Sequence, residues 1–184
     1  MTVVGVTGHR VLTDQASIVH AIRAAFDRIR ELHPGEPLTI LSALAEGSDR
    51  LVAREALKRT GDRLIVVLPL PKADYIRDFH STESRAEFED LLAQANQVVE
   101  LGSSETRDAA YEAVGNYVVD NSQAMIAIWD GKNAQGGGGT GNVVARARRL
   151  GRPIAWIKAG NRIPATTEPT SLGTEQGRLT LENF

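Results

Sequence analysis

Short apolar runs alternate with longer segments of helical periodicity along most of the chain, and this alternation limits the possible folds more than any other feature. The apolar runs predict six strands, at residues 3–7, 38–43, 63–70, 97–101, 124–129 and 153–158. The segments between them have apolar residues at helical spacing. Strands that are apolar on both faces are typical of a parallel sheet covered by helices on both sides. We therefore expect an α/β fold: a single three-layer α/β/α domain with a mostly parallel sheet of about six strands.

The chain length and the composition of its last segment predict the domain organisation. The chain has 184 residues, a length that suits one domain. Residues 1–160 contain all six predicted strands, and residues 161–184 form a polar segment rich in Thr, Pro and Gly. We expect one domain over 1–160 followed by a loosely held C-terminal tail over 161–184.

Charge and composition exclude several classes of partner and cofactor. The formal net charge is −2, which argues against broad binding to nucleic acid. Cysteine is absent and the four histidines lack metal-type spacing, so we predict no metal site and no cofactor. No apolar run approaches the ~20 residues of a membrane span, and no signal peptide is visible. We expect a cytoplasmic protein with no membrane partner.

A run of four glycines is the most unusual local feature of the sequence. It lies in "DGKNAQGGGGTGN", between the fifth strand and a helical segment. Glycines leading into a helix expose backbone N–H groups with no Cβ in the way, and the helix dipole adds a positive end. This pattern predicts a phosphate site at Gly136, Gly137, Gly138, Gly139 and Thr140. We expect Thr140 to cap the helix that follows.

Two further polar stretches, "GVTGHR" and "SALAEGSD", follow the first and second strands. Ligands of open parallel sheets bind outside the carboxyl ends of the strands, where the winding direction switches, so we expect all three loops to meet there. The candidates for ligand contact are Gly8, His9, Arg10, Ser42, Gly47 and Asp130.

Individual roles can be assigned to some of these residues, each against a structural alternative. Arg10 can clamp a phosphate through its guanidinium, and Asp130 can accept a ribose hydroxyl or serve as a turn residue. His9 can contact the ligand or be a hydrogen-bonded loop histidine. Ser48 is a candidate helix cap, and the helix dipole explains Asp49 without any functional role.

Taken together, the three loops resemble those of the SLOG superfamily, which includes the LONELY GUY phosphoribohydrolases and DNA-processing protein A. "SALAEGSD" is similar to the S-G-L-A-x-G-x-D stretch of DNA-processing protein A, and "GGGGT" to the P-G-G-x-G-T loop of LONELY GUY enzymes. The resemblance covers about residues 2–158. It implies a Rossmann-like fold, a phosphorylated nucleotide or nucleotide derivative as ligand, and a homodimer.

The departures from these motifs affect the predicted activity. LONELY GUY enzymes carry a glutamate three residues after the motif threonine, where this chain has Val143. Valine cannot act as an acid or base in N-glycosidic cleavage, and it cannot form a capping box with Thr140. In DNA-processing protein A the second loop tends to be basic, whereas Glu46 lies in this one.

The function that we expect is therefore a ligand-sensing module that binds ADP-ribose or a nucleoside monophosphate at the carboxyl ends of the strands. The alternative is a nucleotide N-glycosidase, an enzyme that would need another carboxylate, with Glu112 and Glu46 as the candidates. A second alternative is a DNA-binding module like DNA-processing protein A.

Overall fold

The computed structural model of the protein describes residues 1–102, 104–133 and 139–184. Seven strands form one sheet in the order β4-β3-β2-β1-β5-β6-β7. The strands are β1 (Thr2–Gly8), β2 (Leu38–Ser42), β3 (Arg63–Leu68), β4 (Gln97–Glu100), β5 (Ala124–Trp129), β6 (Ile154–Lys158) and β7 (Leu179–Glu182). All neighbouring strands run parallel except β6 and β7.

Six α-helices cover the two faces of this sheet. They are α1 (Gln15–Leu32), α2 (Ser48–Leu57), α3 (Lys72–Tyr75), α4 (Thr82–Ala93), α5 (Arg107–Asp120) and α6 (Thr140–Arg149). Apolar side chains of α1, α2 and α4 pack on one face of the sheet. Those of α5 and α6 pack on the other. The predicted three-layer α/β/α domain with a mostly parallel sheet is confirmed, and its architecture is Rossmann-like.

Strand order fixes where the winding direction of the sheet reverses. From β1 the chain adds β2, β3 and β4 on one side, and then returns to place β5 on the other side of β1. The register pairs Val4 with Ile40 of β2 and with Ala124 of β5. The carboxyl ends of β1 and β5 therefore form the topological switch point, where open α/β sheets leave a crevice.

The seventh strand was not predicted from the sequence. β7 lies within the segment expected to be a loose tail and pairs antiparallel with β6, with Ile154 opposite Glu182 and Ile157 opposite Leu179. It is only four residues long and half-buried throughout. Leu179 and Leu181 both pack against the core, which explains why a short polar segment completes the edge of the sheet.

Two predicted helix caps differ in the structure. Gly139 is the N-cap of α6 and Thr140 its first residue, so Thr140 does not occupy the N-cap position that a capping box requires. Gly47 is the N-cap of α2. The hydroxyl of Ser48 instead donates to the carbonyl of His9 at 2.7 Å. Competition from this loop contact explains why Ser48 does not cap its own helix.

Among the residues that the structure describes, none of the helices combines the length and apolar character needed to cross a bilayer.

Candidate functional site

A cleft of about 100 Å³ opens at the switch point, at the carboxyl ends of β1 and β2. The loop after β1 supplies Arg10, and the first turn of α2 supplies Asp49. Two tyrosines and the first turn of α6 complete its walls. The lining residues used below are Gly8, Arg10, Asp49, Tyr75, Tyr111, Thr140 and Val143.

The positive charge of the cleft comes from Arg10. Its guanidinium lies 5.2 Å from the centre of the Tyr111 ring, within the range of a cation–π contact. The Tyr111 hydroxyl donates to the carboxylate of Asp78, which holds the ring in place. Within the described part of the chain, no carboxylate forms an ion pair with Arg10. The cleft therefore presents a cation whose charge is available to a ligand.

Asp49 is the carboxyl group of the cleft, and it is almost completely buried, with 6% of its surface exposed. Its Oδ2 accepts hydrogen bonds from the Ser42 hydroxyl at 2.9 Å and from the Ala43 backbone N–H at 3.2 Å. Burial raises the pKa of Asp49 to about 6, although these hydrogen bonds and the charge of Arg10 oppose the shift. Such a group exchanges a proton near neutral pH, as catalytic and switch residues do.

The backbone of the loop between β2 and α2, just before Asp49, is strained. Leu44 adopts φ +54°, which is uncommon for a residue with a bulky side chain. Its carbonyl accepts a hydrogen bond from Arg50 Nε at 3.0 Å. The Arg50 guanidinium stacks on Phe79, 4.4 Å from the ring centre, and thus holds the strained turn from the side away from the cleft. Strain of this kind concentrates at functional sites.

Tyr75 lines the cleft from the end of α3, the short helix after β3, and is completely buried. Its ring packs edge-on against Phe79 and Phe88, with centroids 5.1 and 5.7 Å away. The hydroxyl oxygen has no hydrogen-bond partner among the described residues. Burial raises the pKa of Tyr75, and the charge of Asp49 adds to the shift. A buried polar group without a partner is costly and calls for an explanation.

Gly8 and Gly47, both predicted ligand contacts, are required by close packing between the first two loops. A Cβ on Gly47, which has φ +76°, would lie 2.3 Å from the carbonyl oxygen of Arg10. A Cβ on Gly8 would lie 2.4 Å from the Ser48 hydroxyl. The two glycines bring the loop after β2 against the loop after β1, and so place Arg10 and Asp49 in one cleft.

His9 and Asp130 join the loops after β1 and β5. His9 Nε2 lies 3.2 Å from both the backbone nitrogen and Oδ1 of Asp130. Burial lowers the pKa of His9, although the neighbouring Asp130 carboxylate opposes the shift. Oδ1 of Asp130 also accepts the backbone N–H of Lys132 at 3.1 Å, and both side chains are less than 10% exposed. The structural alternatives considered for His9 and Asp130 account for these contacts.

The remaining predicted residues differ in how close they come to the cleft. Ser42 is fully buried behind Asp49 and donates to it. Glu46 accepts a hydrogen bond from the Ser84 hydroxyl, and Glu112 lines a separate depression between α5 and α6. Neither glutamate is among the residues lining the cleft.

The predicted phosphate loop is described only at its end. Gly136, Gly137 and Gly138 lie outside the described residues. Gly139 adopts an extended conformation at the N-cap of α6, and Thr140 lines the cleft. The first turn of a helix has N–H groups without intrahelical partners, so the positive end of α6 is at the same cleft as Arg10.

Sequence reasoning missed three residues of the cleft. Asp49 was assigned only to the dipole of α2, although it is the last residue of the "SALAEGSD" motif, and this position was a usable signal. Tyr111 lies on α5 and was assigned no role from the sequence. Tyr75 follows a break in the apolar pattern and gave no signal, because its position depends on the short α3 segment folding over the sheet.

Metal binding finds no support in the described ranges, which contain no group of three or more His, Asp or Glu side chains placed to hold an ion. What these residues bring together is a cation, a buried carboxyl and an unpartnered phenol. These groups suit an anionic, hydroxyl-bearing small molecule.

Comparisons with known proteins match the fold only. No protein-family model matches the chain, and no curated protein matches it. Among solved structures, the chain is similar to the X-ray structure of TM1055, a structural genomics target, with 15% sequence identity and a TM-score of 0.49. The match covers 84% of this chain and 72% of that one. At this level of similarity it contributes nothing to the assignment of function, which depends on the geometry of the cleft.

Proposed function

We propose that the protein binds a phosphorylated nucleotide derivative, such as ADP-ribose or a nucleoside monophosphate, in the cleft at the switch point. The observation that carries this proposal is the cleft guanidinium of Arg10, which has no ion-pair partner among the described residues. A guanidinium that lies over an aromatic ring and forms no close ion pair among the described residues is suited to a phosphate, whose oxygens can accept two of its N–H groups at once.

Two features of the fold support a phosphate near Arg10. The amino end of α6 faces the cleft through Thr140, and helix amino ends attract anions through free N–H groups and the helix dipole. The cleft also lies at the switch point, the usual ligand position of such sheets. Its volume of about 100 Å³ is below the roughly 300–1,000 Å³ of a whole small-molecule pocket. The cleft would therefore enclose one part of the ligand.

The resemblance to the SLOG superfamily leads to the same class of ligand, and Val143 argues for binding without hydrolysis. Val143 lines the cleft at the position of the LONELY GUY glutamate. A Cβ on Gly115 of α5 would lie 2.8 Å from Val143 Cγ2. The wall that would carry the enzyme's carboxylate is therefore apolar and closely packed, and we assign the protein to the ligand-sensing class.

Replacement of Arg10 tests the proposal. We expect Arg10→Ala to weaken binding of ADP-ribose and AMP about 10- to 100-fold, because a charged hydrogen-bond donor is lost. Arg59→Ala is the matched control, since Arg59 lines a different cleft at the opposite edge of the sheet. Isothermal titration measures both, after a thermal-shift screen has ranked the nucleotides. Equal affinities for the wild type and Arg10→Ala would show that the phosphate does not bind in this cleft.

Asp49 favours a second candidate function, cleavage of the N-glycosidic bond. A buried carboxyl with a pKa of about 6 can protonate a leaving base while water adds to C1′ of the ribose. Asp49, rather than Glu46 or Glu112, would then be the acid. Overnight incubation of AMP with the wild type followed by chromatography separates the two functions. We expect no free base. Base release that Asp49→Asn abolishes would replace the sensor with a glycosidase.

DNA binding is the third candidate function. The most basic stretch of the chain is "RARRLGR" at residues 146–152, around the carboxyl end of α6, and it gives DNA binding little support. Arg146 forms a bidentate ion pair with Asp120, and Arg148 forms one with Glu182. Much of the positive charge of this run is therefore neutralised within the protein. We expect affinity for single-stranded DNA to be weak at physiological salt, and a steep salt dependence of tight binding would contradict this.

A further inference from the structure

We propose that the inner end of the cleft is a subsite for the hydroxyl groups of a sugar ring, formed by Asp49 and Tyr75. The inference rests on the proposed function and names the part of the ligand that the cleft encloses, the ribose. The proposed position of the sugar is therefore at Asp49 of α2 and Tyr75 of α3, and not at Asp130, the candidate that the sequence offered for a ribose hydroxyl.

Asp130 is occupied by the protein itself. Its carboxylate is 7% exposed, lies 3.2 Å from His9 Nε2 and accepts the backbone N–H of Lys132. Asp49, by contrast, lines the cleft. Its Oδ2 accepts the bonds from Ser42 and Ala43, and the backbone N–H of Ala45 is a third donor to the carboxylate. A carboxylate offers about four lone-pair sites, so Asp49 keeps capacity to accept hydrogen bonds from a ligand.

Tyr75 provides the independent observation that a polar ligand group belongs here. Its side chain is completely buried, lines the same cleft, and carries a hydroxyl with no partner in the structure. Leaving a buried hydroxyl unpaired destabilises the protein. A ligand hydroxyl between Tyr75 and Asp49 would satisfy the phenol and the carboxylate together, since hydroxyl groups both donate and accept.

The charges around the cleft favour a sugar phosphate over other ligands. Arg10 at the mouth suits the phosphate, and Asp49 together with Tyr75 suits neutral hydroxyl groups deeper inside. A metal ion would meet the positive charge of Arg10 and a single carboxylate. A volume of about 100 Å³ fits one ring of the ligand and leaves the base outside.

The experiment compares inorganic phosphate with ribose 5-phosphate, which adds only the sugar. We expect the wild type to bind ribose 5-phosphate at least about tenfold more tightly than phosphate, the equivalent of about 1.4 kcal/mol. Tyr75→Phe and Asp49→Asn should each reduce this ratio about five- to tenfold without weakening phosphate. Thr39→Val is the matched control, because Thr39 also has a buried, unpartnered hydroxyl but lies outside the cleft. Thermal melts of all variants verify that they fold.

The outcomes separate the subsite from the proposed function. If phosphate and AMP bind in an Arg10-dependent way but the ribose adds no affinity, the sugar subsite is wrong and the phosphate site stands. If the added affinity resists both substitutions, the sugar is bound elsewhere and the subsite is again wrong. If AMP, phosphate and ribose 5-phosphate all fail to bind, the proposed function fails and the subsite fails with it.

Discussion

Clefts open at both ends of the parallel strands, at the amino ends (here the amino edge) and at the carboxyl ends (the carboxyl edge). The larger cleft is at the amino edge. That cleft measures about 340 Å³ and is lined by residues that include Arg30, Gly35, Glu36 and Asp62. The cleft at the carboxyl edge measures about 100 Å³. Volume alone would place the functional site at the amino edge, so the chemistry of the two clefts has to decide between them.

Most polar groups of the amino-edge cleft already have partners within the protein. Arg30 donates to Asp62, whose other oxygen accepts the Leu38 backbone N–H at 2.9 Å. Glu36 binds the amino terminus at 2.7 Å. At the carboxyl edge, Arg10 lacks an ion pair among the described residues and the Tyr75 hydroxyl lacks a hydrogen bond. Unused hydrogen-bonding capacity, rather than volume, identifies the site where a ligand would gain most.

The largest expected effect comes from adding one methyl group at each edge. Gly47 and Gly35 both have positive φ, but a Cβ on Gly47 would meet the Arg10 carbonyl at 2.3 Å, whereas Gly35 has nothing within 4 Å. We expect Gly47→Ala to lower the free energy of unfolding by roughly 4 kcal/mol or more, and Gly35→Ala by about 1–2 kcal/mol. Urea unfolding measures both. Similar losses would mean that the two loops at the carboxyl edge are not packed as described.

The effect of pH on stability depends on Asp49 and sharpens the same comparison. Folding raises the pKa of Asp49 from 3.8 to about 6, so the folded protein binds this proton more tightly than the unfolded chain. This contribution to the free energy of unfolding is complete below about pH 4 and is lost as the pH rises through about 6. It amounts to about 3 kcal/mol.

Asp49→Asn removes this titration and tests its sign. The variant should gain stability relative to the wild type between about pH 4 and pH 7, as measured by urea unfolding at several pH values. His9 and the other titrating groups are common to both proteins and cancel in the difference. Parallel pH profiles for the two proteins would show that Asp49 is not buried as a neutral acid.

The sequence predicted the sheet well because its signals are local. The run Ala124–Trp129 is apolar throughout and is buried throughout, as β5, and Ser81 caps α4 as the serine before a helical pattern should. β7 was missed because Leu179 and Leu181 alternate over only four residues, and their pairing with β6 depends on chain segments far apart.

The candidate site was predicted less completely, for a physical reason. Arg10 could be proposed from the sequence because it follows the first strand closely, at the end of a parallel sheet where ligands bind. Tyr75 and Asp49 belong to the cleft only through tertiary packing: α3 folds over the strand ends, and Ser42 orients the carboxyl. Glu46 and Glu112 were chosen for their chemistry alone, and burial and distance to the cleft are not readable from a single sequence.

The smallest effect concerns the two unpartnered hydroxyl groups, Tyr75 in the carboxyl-edge cleft and Thr39 in β2 outside it. Removing a buried hydroxyl that has no partner should stabilise the free protein, so Tyr75→Phe and Thr39→Val should each raise the free energy of unfolding by about 1 kcal/mol. Calorimetry then separates them when ribose 5-phosphate is added. The stability of the wild type and of Thr39→Val should rise with the logarithm of the ligand concentration above the Kd, whereas Tyr75→Phe should gain less. A loss of stability in Tyr75→Phe without ligand would mean that the phenol already has a partner in the free protein. Tyr75 would then have its hydrogen bond within the protein, like the polar groups of the amino-edge cleft, and the difference between the two clefts would not extend to this residue.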